Sequence, residues 1–351
     1  MSKRIVIMAG GTGGHVFPAL AVAQSLLDKG WQVSWLGTQK GLESRVVPEH
    51  GIAIDWLAVA GVRGKGLLSK FTALFRLLKA CMQAAKILRQ RKPDVVLGMG
   101  GFVAGPGGLM AKLLGIPLVI HEQNRVPGTT NRLLSRFAKQ VLEAFPGSFK
   151  QSVQAQCTGN PLRQAFLSLT QQEPRASAQA LRVLVIGGSQ GAQILNEIVP
   201  EAVAKLAHVQ VKHQTGAVMQ DQVANRYRDL GIDAEALAFI DNMVSVYQWA
   251  DLVICRAGAM TVSEIAAVGK PAIFIPLPSA IDDHQTANAQ YLTEAGAGLL
   301  LKQKDLTPDS LADHILKISK QLDDMARIAK QCARLDATDA VAGVCIAEAA
   351  A

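Results

Sequence analysis

Short apolar runs recur along the chain at near-regular spacing. In the first 150 residues they are Arg4–Met8, Gln32–Leu36, Ile54–Leu57, Val95–Met99, Leu118–His121 and Gln140–Glu143. A strand covered on both faces shows no polar alternation, so runs of this kind predict buried parallel strands. Helical periodicity fills most of the gaps, and strand–helix alternation predicts a doubly wound parallel sheet. After residue 180 the alternation starts again, with Val183–Ile186, Gln210–Gln214, Leu237–Phe239, Leu252–Cys255, Ala272–Ile275 and Gly298–Leu301. Between them, from Pro161 to Ala180, the pattern thins into the polar stretch QQEPRASAQA, which reads as a linker. From Asp309 onward the chain is helical in pattern and rich in alanine. The expectation is an α/β protein of two domains, residues 1–162 and 163–335, with a cleft between them. A helical tail, residues 336–351, is expected to pack back on the first domain.

One segment breaks the pattern. Between Asp55 and Asp94 there is no acidic residue, while Arg63, Lys65, Lys70, Arg76, Lys79, Lys86, Arg89, Arg91 and Lys92 are basic. Leu67, Phe71, Leu74, Phe75, Leu78, Met82, Ala85 and Leu88 interleave at helical spacing. Two readings fit. In the ordinary one, which is preferred for the helix itself, the apolar face packs on the sheet and the basic face is solvated. In the other, the helix lies in a membrane interface.

Glycine-rich turns close several of the predicted strands. The first is GGTGGH (Gly10–His15) and the second GGSQGA, beginning at Gly187. Neither fits the dinucleotide fingerprint GxGxxG, and neither is followed by the GK[ST] of a P-loop. A third glycine-dense stretch runs from Gly98 to Gly108. Tight strand-to-helix turns would explain any one of them. Three at strand ends point to a phosphate-bearing ligand, because open α/β sheets bind ligands there and free helix N–H groups hold anions. A fourth turn, RAGAMTVSE (Arg256–Glu264), allows two readings of one geometry. Thr261 and Glu264 have the spacing of a capping box. Alternatively the helix N-terminus receives a diphosphate and Glu264 accepts bonds from a ribose.

Composition narrows the classes. The hydrophobic fraction is 49% and the aromatic fraction 5%, as in sheets built of Val, Ile, Leu and Ala. Five scattered cysteines without CxxC spacing argue for a reducing compartment and against zinc. Asp282-Asp283-His284 are neighbours on one loop, an arrangement that rarely converges on an ion, and no metal is expected. No signal peptide is evident, and no apolar stretch reaches the ~18–20 residues of a spanning helix. The net charge of +8 is uneven: residues 1–150 hold 20 Lys/Arg against 7 Asp/Glu (+13), and residues 151–351 hold 16 against 21 (−5). A basic half suggests an anionic surface. Nucleic acid is disfavoured, since the aromatics do not interleave with the basic residues as stacking platforms.

GGTGGHVFPALA, LGMGGFVAGPGG, HEQN (His121–Asn124), GNPLR (Gly159–Arg163), GGSQGA, RAGAMTVSE and DDHQTANA (Asp282–Ala289) occur in this order. Together they resemble the MurG family of bacterial transferases across nearly the whole chain. Members move N-acetylglucosamine (GlcNAc) from UDP-GlcNAc to the MurNAc 4-hydroxyl of lipid I, giving lipid II for peptidoglycan. The resemblance implies the GT-B fold, two Rossmann-like domains facing a cleft, with the acceptor and the membrane on the N-terminal domain and the nucleotide sugar on the C-terminal one. It implies inversion by one in-line displacement, without a cofactor. It also implies a peripheral place on the cytoplasmic face of the cell (inner) membrane, with cell-wall synthesis or division proteins as candidate partners.

Carried over motif by motif, the resemblance assigns Thr12, Gly13, Gly14, Asn124, Arg163 and Ser189 to the donor site. Ile240 falls beside the uracil. Ala259, Met260, Thr261, Val262, Ser263 and Glu264 fall around the diphosphate and ribose, and Gln285 at the sugar. Ala257 departs from the serine of some members, a small change in a turn that works through its backbone. His15 is the candidate base, since an imidazole accepts a proton near neutral pH, and Glu122 is the second candidate. A helix-start role for His15, bonding a phosphate or carbonyl, stands beside this, as does an orienting role for Glu122. Competing functions are another UDP-sugar GT-B enzyme (a glycolipid synthase or a UDP-GlcNAc 2-epimerase) and a non-catalytic nucleotide-sugar-binding scaffold.

Overall fold

A computed structural model describes residues 2–59, 67–167, 180–188 and 190–350, with residues 67–73 described in backbone only. Arg63, Lys65, Ser189, most of the polar linker stretch and the side chains of Leu67, Lys70 and Phe71 therefore lie outside the described residues. The chain divides into two compact units, Met1–Arg163 with Arg334–Ala351, and Gln164–Ala333.

The first unit holds seven parallel strands: β1 (Arg4–Met8), β2 (Gln32–Gly37), β3 (Ala53–Trp56), β4 (Val95–Gly98), β5 (Leu118–Glu122), β6 (Gln140–Glu143) and β7 (Gln156–Cys157). Their order is β3-β2-β1-β4-β5-β6-β7. Along β1, Ile5, Ile7 and Ala9 enter one core cluster while Val6 and Met8 enter another. That is the two-sided burial which makes the strand an unbroken apolar run. Helices α1 (Gly13–Asp28), α2 (Glu43–Glu49), α3 (Leu67–Arg91), α4 (Ala104–Leu113) and α5 (Thr129–Leu134) make the crossovers. The C-terminal helix Ala337–Ala350 belongs to this unit too. Val341, Ala342 and Cys345 sit in one core with Val16, Val22 and Leu26 of α1. Asp339 receives Lys29 at 3.1 Å.

In the second unit the strands are β8 (Leu181–Ile186), β9 (Val209–Gln214), β10 (Asp233–Leu237), β11 (Leu252–Cys255), β12 (Ala272–Phe274) and β13 (Gly298–Leu300). All are parallel, in the order β10-β9-β8-β11-β12-β13. Helices α6 (Gln164–Leu167), α7 (Gln193–Val203), α8 (Gln220–Asp229), α9 (Met243–Trp249), α10 (Ala259–Val268), α11 (His284–Thr293), α12 (Pro308–Ser319) and α13 (Leu322–Gln331) surround the sheet.

Two expectations fail, and one strand was not foreseen. The strand expected at Leu237–Phe239 is instead Asp233–Leu237, an edge strand whose charged Asp233 and Glu235 alternate with alanines. The two-residue edge strand β7 is too short to leave a pattern. Helix α3 does not bury most of its expected large apolar residues whose side chains are described. Its buried seam is Ala80, Ala84 and Leu88, whereas Leu74, Phe75, Leu78 and Met82 are exposed, Phe75 at 69%. The i, i+4, i+8 seam is lined mostly by alanine, so α3 can lie close to its neighbours with Leu74, Phe75, Leu78 and Met82 turned outward.

In each sheet the strand order reverses once, between β1 and β4 and between β8 and β11. Glycine turns follow all four of these strands. Such switch points, at the carboxyl ends of the strands, are where open α/β sheets take their ligands.

Candidate functional site

The switch point of the second unit opens into a pocket of about 690 Å³. Two helices aim their N-termini at it. Helix α7 starts at Gln193 behind Ala192, and α10 starts at Ala259 behind Gly258, neither with a side-chain cap. Gly258, Thr261, Gln193 and Ile194 line the pocket. The first-turn N–H groups of both helices have no intrahelical acceptor and carry the positive end of each helix dipole. The capping-box reading of Thr261 and Glu264 is corrected here. Thr261 lies inside α10 as its third residue, so its hydroxyl does not cap the helix and the N–H groups stay available.

The turn after β8 brings its backbone to the same pocket through Gly187, Gly188 and Gly191. Gly191 has φ +74, and a Cβ there would overlap the Thr215 carbonyl oxygen. Only glycine allows so close a crossing of two backbones.

Arg256 supplies the fixed charge. Its Nη1 donates to the carbonyls of Ile275 (3.0 Å) and Pro276 (3.2 Å), and its Nη2 donates to Gln303 Oε1 (2.8 Å). Burial lowers its pKa below the usual arginine value, yet a guanidinium stays charged. All three acceptors are neutral, so its charge is not cancelled by a bonded carboxylate. Gln285 Oε1 accepts from the N–H groups of Leu277 (2.9 Å) and Ala257 (3.3 Å). That leaves its amide N–H groups for a ligand. Glu197, at the rim, accepts from Gln193 at 2.8 Å.

The other expected donor residues differ in placement. Glu264 accepts from the Tyr247 hydroxyl at 3.4 Å, with Ser263 one residue before it and Met260 on the first turn. Ile240 is buried in the loop after β10. The Val262 side chain is in the core and its N–H already bonds the Gly258 carbonyl, so it supports the turn and has nothing left for a ligand. Ser189 lies outside the described residues.

In the first unit, Thr12 is the N-cap of α1, with Gly13, Gly14 and His15 forming its first turn. His15 Nδ1 lies 2.8 Å from Gln123 Oε1. Gly100 (φ +99) lies next to the ring, where a Cβ would come within 2.9 Å of Cε1 and Nδ1. Arg163 sits with its guanidinium 5.6 Å from the centre of the Phe17 ring. Glu122 is corrected as a base. It is 2% exposed and accepts from Asn124 N (2.9 Å), Asn124 Nδ2 (3.2 Å), Gly128 N (3.0 Å) and Asn131 Nδ2 (2.9 Å). Four donors fill its acceptor sites, so it ties down the loop that carries Asn124.

Beside the first glycine turn is a second pocket, of about 680 Å³. Lys40, Arg76 and Lys79 give it positive charge, and Trp56, Leu57 and Phe102 give it apolar walls. Glu43, fully buried, holds its glycine wall by accepting from Gly11 N (2.9 Å), Thr38 N (2.9 Å) and Thr38 Oγ1 (2.8 Å). Among the described residues, no three His, Cys, Asp or Glu side chains gather as a metal site would need. No described helix is long and apolar enough to cross a membrane.

Residues 5–143 match the N-terminal domain of glycosyltransferase family 28, and residues 182–343 match its C-terminal domain. The chain belongs to glycosyltransferase family 28. One relative of this family 28 chain comes from Methylococcus capsulatus and is 58% identical over the whole of both chains. Its name is UDP-N-acetylglucosamine--N-acetylmuramyl-(pentapeptide) pyrophosphoryl-undecaprenol N-acetylglucosamine transferase. The crystal structure of Acinetobacter baumannii MurG is 43% identical, covers 98% of this chain and 99% of its own, and superposes with a TM-score of 0.86. A UDP-N-acetylglucosamine 2-epimerase structure covers 97% of this chain and 94% of its own, with a TM-score of 0.65 but 13% identity, a likeness of fold alone. The family 28 chain is thus a glycosyltransferase built from two Rossmann-like parallel-sheet domains.

Proposed function

We propose that this transferase moves GlcNAc from UDP-GlcNAc to the MurNAc 4-hydroxyl of lipid I, producing lipid II and UDP. The observation that carries the reading is the donor pocket: two uncapped helix N-termini and an uncancelled arginine charge at one switch point, in a chain matched end to end by a transferase of that name. The diphosphate lies on the N–H groups of α7 and α10 with Arg256 below it. Its developing charge at bond cleavage is what those fixed donors stabilise. Glu264 accepts from the ribose, Ile240 flanks the uracil, and Gln285 donates to the sugar.

The acceptor occupies the basic, apolar-walled pocket of the first unit. Its 4-hydroxyl attacks the anomeric carbon in line, with inversion, and His15 takes the proton. The lipid tail stays in the membrane, against which α3 lies. The exposed Leu74, Phe75, Leu78 and Met82, interleaved with Arg76, Lys79, Lys86 and Arg89, suit an anionic leaflet. We place the enzyme there as a peripheral protein on the cytoplasmic face.

The test is radiolabelled UDP-GlcNAc with a soluble lipid I analogue. Labelled disaccharide product is expected, together with UDP. Label that stays on the nucleotide sugar and converts to UDP-ManNAc without acceptor would establish the epimerase reading instead. Binding of UDP-GlcNAc with no transfer would leave a scaffold.

A further inference from the structure

Behind His15 the structure holds a chain of side chains that the transfer reaction has not yet used. His121, at the end of β5, is fully buried, and its Nε2 lies 2.9 Å from the carbonyl oxygen of Gly159. Its Nδ1 lies 3.0 Å from Gln123 Nε2. The far end of that amide, Oε1, is the atom 2.8 Å from His15 Nδ1.

The proton positions follow link by link. A carbonyl oxygen only accepts, so His121 Nε2 carries a hydrogen. Burial pushes the His121 pKa down to about 4, so near neutral pH the ring is uncharged and its Nδ1 is a bare acceptor. Gln123 must turn its NH₂ end toward that acceptor. The same NH₂ end also lies 3.2 Å from the His121 carbonyl oxygen, which holds the amide that way round. Its Oε1 then faces His15 and can only accept, so His15 Nδ1 carries the hydrogen. In a neutral imidazole the other nitrogen is then a free lone pair.

We propose that Gln123 and His121 are positioning residues that lock His15 in the tautomer whose Nε2 is the proton acceptor, with the Gly159 carbonyl fixing the whole chain. An unconstrained histidine divides between two tautomers, and only one presents a bare Nε2. The backbone anchors at both ends are built in. Gly159 has φ +83, and a Cβ there would overlap the Arg334 side chain. Asn160 Nδ2 donates to the Gln123 carbonyl at 3.1 Å. Gly100 leaves room for this edge of the His15 ring, since a Cβ there would come within 2.9 Å of Cε1 and Nδ1. The relay contains no carboxylate, unlike a Ser-His-Asp triad, so it selects a tautomer through neutral dipoles.

The inference rests on His15 as the base, and the test separates the two. Ring-¹⁵N histidine labelling of the full-length enzyme reads the tautomer of each imidazole directly, with His15→Gln identifying the His15 signals. The expected spectrum has hydrogen on Nδ1 of His15 and on Nε2 of His121. Gln123→Met keeps length and volume but removes both bonds. His15 is then expected to redistribute between tautomers, with kcat falling up to about 10-fold, as the loss of one neutral hydrogen bond allows, and KM for UDP-GlcNAc unchanged. His121→Phe, which keeps the aromatic volume, is expected to move the His15 signals the same way. A wild-type His15 with hydrogen on Nε2 overturns the relay, and so does a Gln123→Met spectrum identical to wild type. His15→Ala tests the base alone: a fall of ~10²–10⁴-fold in kcat is expected, and near-native kcat would remove that role whatever the tautomer.

Discussion

Arg256 holds its place by three bonds to neutral acceptors, and that geometry is what a lysine cannot copy. A guanidinium is a planar fork with five donors, whereas an ammonium is a flexible point charge. Arg256→Lys keeps the charge but cannot reach Ile275, Pro276 and Gln303 together. Its affinity for UDP is expected to fall roughly 10-fold, and that of Arg256→Met further, since charge-assisted bonds to phosphate are the strong ones. Calorimetric titration with UDP checks this; equal affinities for all three proteins would place the diphosphate elsewhere. A second prediction concerns two buried histidines. Burial takes His121 to about 4 and His213 to about 3, against ~6.5 in an unfolded chain. As pH falls below ~6.5 the unfolded chain binds these protons first, so stability is lost from ~6.5 down to about 4 for His121 and about 3 for His213. Each histidine accounts for about 2 kcal/mol between pH 7 and pH 5. Urea melts at the two pH values should show the loss. His213→Leu should flatten the slope for the second unit; a slope that does not change would assign the effect to other groups. Residue by residue, the glycine turns and His15 could be picked out of the sequence, because strand–glycine–helix is a local signal. The contact of Gln123 with His15 spans 108 positions, and the partners of Arg256 lie 19 to 47 positions away, so their roles leave no local mark.

Elements were legible in proportion to how completely they are buried. Leu252–Cys255 and Gln140–Glu143 are strands at the expected positions, because both faces of each are covered. The edge strand β10 escaped, since one side meets water and its sequence, DAEAL, reads as polar. Helix α3 misled for the opposite reason. Its leucines and phenylalanines suggest a core face, but the core takes Ala80, Ala84 and Leu88 and leaves Leu74, Phe75, Leu78 and Met82 outside. An exposed apolar row costs solubility unless something covers it. The membrane is the occupant we propose, and it makes a prediction. Phe75→Glu with Met82→Glu should abolish sedimentation with anionic vesicles, since each change loses apolar insertion and adds repulsion. Turnover of a water-soluble acceptor analogue should stay within about twofold, because surface changes away from special features alter stability by about ±0.5 kcal/mol. Unchanged vesicle binding would move the membrane contact off this face.

The two units have separate cores and are closed differently. The second is one continuous segment, Gln164–Ala333, around its own cluster of Val183, Val185, Leu195, Ile254 and Ile315. The first is completed from both ends of the chain, its α1 face covered by Val341, Ala342 and Cys345 from the last helix. Lys3 adds a bond to the Ala349 carbonyl at 2.6 Å. Removing residues 334–351 therefore uncovers Val16, Val22 and Leu26 of α1, and each side chain left exposed forfeits about 1.5–3 kcal/mol of burial. Calorimetry of the full chain and of the truncated chain should then separate the units. Truncation is expected to lower the melting of the first unit and leave that of the second in place. UDP should act on the other side. At 100 times its dissociation constant it stabilises the state that binds it by about 2.7 kcal/mol, and the donor pocket is built from second-unit residues. The nucleotide should therefore raise the second transition in the full and the truncated chain alike. A truncated chain that loses its response to UDP would mean that the first unit supplies an essential part of the nucleotide site.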